Sequence, residues 1–224
     1  VEEWTTYETD AQRNVTTTVW NSAAARETRN IIRRETKDSE GRVKYRAERK
    51  PEENKGFGPE ITVQGDSKID KAHSKFGGAG AFFDGSGDYL TLASHPDWNF
   101  GTGDFTIDLW VKFNSLTGSQ TLISRNDVSD FRIDKTNTNE LAVWIEGYQP
   151  IRASWTPSAN TWTHVAITRQ GSQLRAFIDG IQLGSTAVST HDIQGSDPVL
   201  MGQTANVNYL NGWMDEVRIS KGIA

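Results

Sequence analysis

Carboxylates, histidines and tryptophans are the side chains of this sequence that could do chemistry, and their spacing decides what kind. The chain has 29 Asp and Glu, 4 His and 8 Trp, and no Cys. Without thiols there is no disulfide framework, no thiolate nucleophile and no Cys-ligated zinc or iron–sulfur site. His73, His95, His164 and His191 are scattered, and no Ser/His/Asp arrangement forms around any of them. Retaining glycoside hydrolysis needs two carboxylates about 5 Å apart. Asp104 and Asp108 bracket Phe105-Thr-Ile107, but on an extended strand four residues separate them by about 13 Å on one face. The carboxylates therefore point to binding or structure rather than catalysis.

Asp215 is the carboxylate least easily explained as ordinary. In Trp213-Met-Asp-Glu-Val-Arg-Ile219, a period of two places it with Trp213, Val217 and Ile219, opposite Met214, Glu216 and Arg218. The spacing directs it toward a core, where it must be paired, hydrogen-bonded or bound to a cation. A backbone turn or an Arg would satisfy it as well as a metal. Asp84, Asp88, Asp97, Asp104, Asp179 and Asp197 lie beside Gly or Pro or near loops and read as turn formers.

Carbohydrate sites join an aromatic plate to nearby amides and carboxylates. The stretch Gly147-Tyr148-Gln-Pro-Ile-Arg152-Ala-Ser-Trp155 has that mixture, with Trp155 as the expected plate and Tyr148 and Arg152 beside it. Asn126, Asp127 and Asp130 supply polar groups in the preceding loop. Trp110 and Trp144 lie opposite the core residues of their strands, where they would cover a sheet or line a ligand face.

These residues need strands to hold them. Phe105, Ile107, Leu109, Val111 and Phe113 alternate with Thr106, Asp108, Trp110 and Lys112, the pattern of a strand with one core face. Leu141 to Ile145 and Thr163 to Ile167 repeat it. Asp179-Gly180 between apolar runs signals a hairpin. The predicted architecture is all-β, an antiparallel β-sandwich or jelly roll over 65–224.

Residues 1–56 differ in character. They carry 12 Lys and Arg against 11 Asp and Glu, whereas the remainder carries 12 against 18, so the sandwich is acidic and the first part nearly neutral. Six of the eight tryptophans lie in the sandwich. The first part has too little apolar surface to fold alone and reads as an amino-terminal arm needing a partner, or as a charged segment lying on its own domain. Residues 57–64 form the linker. Ser22 to about Lys37 suits a short capped helix; alternatively Asp38-Ser-Glu-Gly41 turns a hairpin between Ile31-Ile32 and Val43-Lys-Tyr45. Arg26, Arg29, Arg33 and Arg34 are interleaved with Glu27 and Glu35, and no basic stripe marks the strands, so nucleic acid is not an expected partner. No run approaches the roughly 18 apolar residues of a membrane span. The start has neither a basic nor an apolar leader, and the absence of Met there is consistent with upstream removal.

Six segments in order resemble the laminin-G-like and concanavalin A-like lectin and glucanase superfamily. They are Lys75-Phe-Gly-Gly-Ala-Gly-Ala-Phe-Phe-Asp-Gly85, Gly87-Asp-Tyr-Leu90, Gly103-Asp-Phe-Thr-Ile-Asp-Leu-Trp-Val111, Asn160-Thr-Trp-Thr-His-Val-Ala166, Phe177-Ile-Asp-Gly180 and Gly212-Trp-Met-Asp-Glu-Val-Arg-Ile219. The resemblance implies a laminin-G-like sandwich. It also implies a structural calcium held by Asp215, with Asp84 or Gly85 contributing. The Glu-x-Asp-x-x-Glu strand of the superfamily's glucanases is not present, which argues against a glycoside hydrolase. Similar modules occur on bacteriophage tails, fibres and heads behind unrelated amino-terminal segments. What this implies is a glycan- or surface-binding module of a virion, oligomeric or built into a larger assembly through residues 1–56. A capsid-decoration protein without sugar binding is the alternative function, and secretion or the cell surface the alternative location.

Overall fold

In the computed structural model the described residues are 61–125 and 129–224, with four strands nearer the amino terminus. Those are β1 (Glu3–Thr9), β2 (Val15–Asn21), β3 (Arg33–Lys37) and β4 (Val43–Ala47). They form an antiparallel sheet in chain order. Arg33–Lys37 is thus a strand and not the end of a helix: it pairs with β2 on one side and β4 on the other, which satisfies its backbone groups without a helical turn. Ile31, Ile32 and the Ser22 start of the expected helix lie outside the described residues. Contacts divide the chain into Val1–Gly58 and Pro59–Ala224.

The second unit is a sandwich of two seven-stranded antiparallel sheets. One contains β13 (Tyr148–Ser154), β12 (Glu140–Ile145), β11 (Phe131–Lys135), β10 (Gln120–Arg125), β17 (Val199–Met201), β8 (Tyr89–Leu92) and β5 (Ile61–Gln64), in that order. The other contains β16 (Ile181–Val188), β15 (Gln173–Ile178), β14 (Trp162–Gln170), β9 (Phe105–Phe113), β18 (Asn211–Lys221), β7 (Gly80–Asp84) and β6 (Lys68–Asp70). The five alternate apolar residues of β9 are all buried against Ile133, Leu141, Val143 and their neighbours in one core. Each such side chain contributes about 1.5–3 kcal/mol. Asp179 and Gly180 both take positive φ, as the tight turn between β15 and β16 requires.

In β18 the expected alternation breaks. The register against β9 runs Asp215↔Trp110 and resumes at Arg218↔Asp108, and Glu216 takes a φ of 50°. This bulge shifts the phase by one residue. Met214, Val217 and Ile219 face the core, while Trp213 and Asp215 lie on the outer face. The expectation that Asp215 is directed into the core is therefore corrected: its partners are outside the sandwich.

One end of the sandwich is tied by two fully buried guanidinium groups. Arg125, ending β10, donates from Nη1 to the Trp98 carbonyl at 2.6 Å, from Nη2 to Asn99 Oδ1 at 2.7 Å and from Nε to the Asp197 carbonyl at 3.2 Å. Arg169, near the end of β14, donates to the carbonyls of Gly103 (2.9 Å), His191 (2.8 Å) and Gly101 (2.6 Å). Asp130 lies 2.9 Å from Arg125 Nε but is 2% exposed, and neither of its oxygens accepts a hydrogen bond. Burial pushes its carboxyl up to about 6 against the pull of Arg125, with Glu146 and Asp197 adding to the rise.

Two outcomes follow from this end. Arg169→Met takes the shared donor from three carbonyls and lowers stability by about 2–3 kcal/mol in urea unfolding; a loss below about 1 kcal/mol would show that water replaces the guanidinium. For Asp130, the folded pKa lies above the unfolded one, so its favourable contribution is complete below about pH 4 and disappears as pH rises through about 6. Asp130→Asn removes this slope, worth about 2–3 kcal/mol, and equal pH dependence of the two melting curves between those limits contradicts it.

Candidate functional site

At the end tied by Arg125 and Arg169, β12 turns into β13 through Glu146-Gly147, both at positive φ, which pairs Ile145 with Tyr148. Tyr148 is 64% exposed and its ring stacks on His191, with centroids 4.6 Å apart and planes at 28°. His191 is fixed by its surroundings. Arg169 holds its carbonyl, and Ile193, two residues on, is buried and exchanges both backbone hydrogen bonds with Gly101. Gln194 Nε2 donates to both oxygens of Asp192 at 2.8 Å. Asn99 Oδ1 accepts from Gly195 N at 3.0 Å as well as from Arg125. Gly195 passes so close that a Cβ there would meet Asp130 Oδ2 at 3.0 Å and Arg125 Nη2 at 3.1 Å. The result is an exposed aromatic platform on a backing of buried hydrogen bonds, with carboxylates and an amide in the adjoining loop. Such a platform can stack on the apolar face of a sugar ring.

The expected sugar site is divided by the structure. Tyr148 is in the platform. Trp155 is not an exposed plate: at 4% exposure it belongs to the core, its ring edge-on to Phe113 at 5.6 Å. It follows the last residue of β13, at the opposite end from Tyr148, so chain proximity brings the two no closer than a strand's length. Arg152 pairs across β12 with Ala142, and its Nε and Nη2 bond Glu140 Oε2 at 2.9 and 2.7 Å. That contact, with Thr138, holds the Glu140 carboxyl down to about 2. Asn126 and Asp127 lie outside the described residues. His191 was missed because nothing in sequence joins it to Tyr148; the pairing arises from long-range contacts that hold its segment, among them those of Arg169, Gly101 and Asn99.

Both outward tryptophans are covered. Lys75 Nζ sits 4.0 Å from the Trp110 ring, with Phe76 and His164 beside it, and the Arg132 guanidinium lies 5.2 Å from the Trp144 ring. Of the carboxylates considered for hydrolysis, Asp108 is bound by Arg218 through Nε and Nη2, and Asp104 accepts from Gly171 N.

The expected metal set is also rearranged. Asp215 Oδ2 accepts from the backbone N–H of Lys75 (2.7 Å) and Phe76 (3.0 Å), so it fastens a backbone segment across the second sheet. Asp84 and Gly85 are not beside it: Asp84 pairs with Asn211, four positions from Asp215 along β18 and hence about 13 Å away. Asp84 instead meets Asp66 and Asp88, and one oxygen from each lies within 4.8 Å of the others. Asp88 is fully buried and accepts from Asp66 N at 2.8 Å and Asp84 N at 3.0 Å. Burial raises its proton affinity, and the neighbouring carboxylates add to the effect. The backbone approaches closely here, since a Cβ on Gly65 would stand 2.4 Å from Asp88 Oδ1. The signal available in sequence was Gly65-Asp66 with Asp84-Gly-Ser-Gly-Asp88, a run of turn formers able to place three carboxylates together.

Domain 4 of AbnA, a GH43 extracellular arabinanase from Geobacillus stearothermophilus solved in complex with arabinotriose, is similar at 19% identity, with a TM-score of 0.58 over 73% of this chain and 82% of that one. The binding domain of botulinum neurotoxin DC in complex with rat synaptotagmin II gives 16% identity and a TM-score of 0.57, over 85% of this chain and 48% of that one. The same toxin domain in complex with SialylT gives 18% identity and a TM-score of 0.55, over 85% and 47%. The chain thus spans about half the length of the toxin domains it matches, and at these identities the likeness is one of fold. No curated protein sequence matches the chain. The family model described as the concanavalin A-like lectin/glucanases superfamily matches residues 84–223, more than half of the sequence, and the chain belongs to that superfamily.

Proposed function

We propose that Pro59–Ala224 is a non-catalytic carbohydrate-binding module whose contact surface is the Tyr148–His191 platform. The observation that carries this reading is the exposed Tyr148 ring, already ordered by its stack on His191 before any ligand arrives. Arabinotriose in the similar arabinanase domain supports it. The engagement of Asp104 and Asp108 in structural contacts favours binding over hydrolysis. Tyr148→Ala should weaken retention on immobilised polysaccharide at least tenfold with melting unchanged, since a stacked ring is worth about 1 kcal/mol or more beyond its area. Retention equal to that of the parent rejects the platform.

The Asp66, Asp84 and Asp88 oxygens fit a hard divalent cation such as calcium. Among the described residues none of the three makes an ion pair with a Lys, Arg or His. Bound calcium would neutralise this charge and fasten the β7–β8 turn to Asp66. A hundredfold excess over Kd adds about 2.7 kcal/mol to stability. Calcium should raise the melting temperature and a chelator lower it; Asp66→Asn with Asp84→Asn should lose the response, and Asp215→Asn should keep it. A response lost only in Asp215→Asn would return the ion to the last strand.

Residues 1–56 complete the proposal as the segment that joins the module to copies of itself or to other proteins of a virus particle. Their dense mixed charge and the strands β1 to β4 support an assembly role. Light scattering should find the full chain associated and a chain starting at Pro59 monomeric; two monomers would assign the arm no such role.

A further inference from the structure

We infer that the Tyr148–His191 platform selects a saccharide bearing protonated amines, such as an oligomer of glucosamine, over neutral and acidic ones. This rests on the carbohydrate reading above and adds the charge of the ligand. Glu146 precedes Tyr148 by two residues, in the turn from β12, and Asp192 follows His191 directly, so each ring of the stack has a carboxylate near it in the chain. Asp192 is exposed, and Glu146 and Asp197 are half-exposed. The two chain segments that form the platform, 146–150 and 189–198, contain no Lys or Arg.

The positive groups beneath the platform do not offset this toward a ligand. Arg125 and Arg169 are fully buried, with their donors on loop carbonyls and Asn99. Arg125 also faces Asp130 at 2.9 Å, and Asp104 and Asp192 act on Arg169; with Glu146 and Asp197 the carboxylates at this end outnumber the two cations. Arg152, farther along β13, is neutralised by Glu140. Lys221 Nζ is turned to the Pro96 carbonyl. An acidic sugar stacked on Tyr148 would be repelled by the carboxylates of the two segments, whereas an ammonium would be attracted to them. Gln194, which spans both Asp192 oxygens, holds that carboxylate in one position.

The experiment compares tetramers of glucosamine, N-acetylglucosamine and galacturonic acid by titration calorimetry, at a pH where the amines are protonated. The amine tetramer should bind about tenfold more tightly than the neutral one, the uronate more weakly than either, and the preference should shrink as salt rises. In Glu146→Gln with Asp192→Asn the ratio of amine to neutral tetramer affinity should fall to about one. A preference that survives this double substitution, or uronate binding equal to amine binding, overturns the charge assignment while leaving the platform a sugar site. If no tetramer binds the parent protein, or Tyr148→Ala binds all three as the parent does, the platform itself is rejected along with the inference.

Discussion

Loop carbonyls at one end of the sandwich need donors, and in this molecule two buried guanidinium groups supply them. The sheets satisfy their own hydrogen bonds, but the segments that leave them cannot. Arg125 gathers Trp98, Asn99 and Asp197, and Arg169 gathers Gly101, Gly103 and His191, so loops far apart in sequence are fixed to strands β10 and β14. With no cysteine in the chain, these contacts do the cross-linking that a disulfide would do elsewhere. A planar fork with five donors suits the task better than an ammonium, because three acceptors can be met at fixed angles. The cost is the desolvation of each charge, visible in the lowered proton affinity of Arg169. The return is a set of loops rigid enough to present a stacked Tyr–His pair.

The bulge in β18 has an equally wide reach. By shifting the phase after Asp215 it keeps Val217 and Ile219 on the core while leaving Asp215 outside, where it accepts two backbone N–H groups from the segment before β7. That anchored segment places Lys75 over Trp110 and Phe76 against its edge. His73 stacks on Trp213, and Asp70 joins both side chains, its carboxyl held down to about 2 chiefly by His73. One extra residue in a strand thus decides that an aromatic face is covered by its own chain.

How much of this was legible follows from which rules are local. The β9 strand, the β15–β16 turn and the sandwich class depend on period-two burial and on Asp-Gly chemistry, and these were readable. Asp215 was misdirected because a bulge adds a residue without a composition signal beyond Glu216 at a positive φ, which no sequence pattern announces. Trp155 looked like a plate because it shares a segment with Tyr148, yet a strand between them carries one to the core and leaves the other at the rim. His191 and Asp66 gained their neighbours through contacts across long separations, and a single sequence holds no record of those.

On the proposed carbohydrate reading, affinity at such a rim is limited by area. One tyrosine face covers a single sugar ring, and the ordering of a flexible saccharide opposes the gain. A preorganised stack lowers the protein's share of that cost but adds no surface. Useful attachment therefore has to come from repetition, with several platforms engaging one polymer so that later contacts form at high effective concentration. The geometry needed is a fixed presentation of many rims toward one surface. On the assembly role proposed for residues 1–56, that segment would supply the repetition.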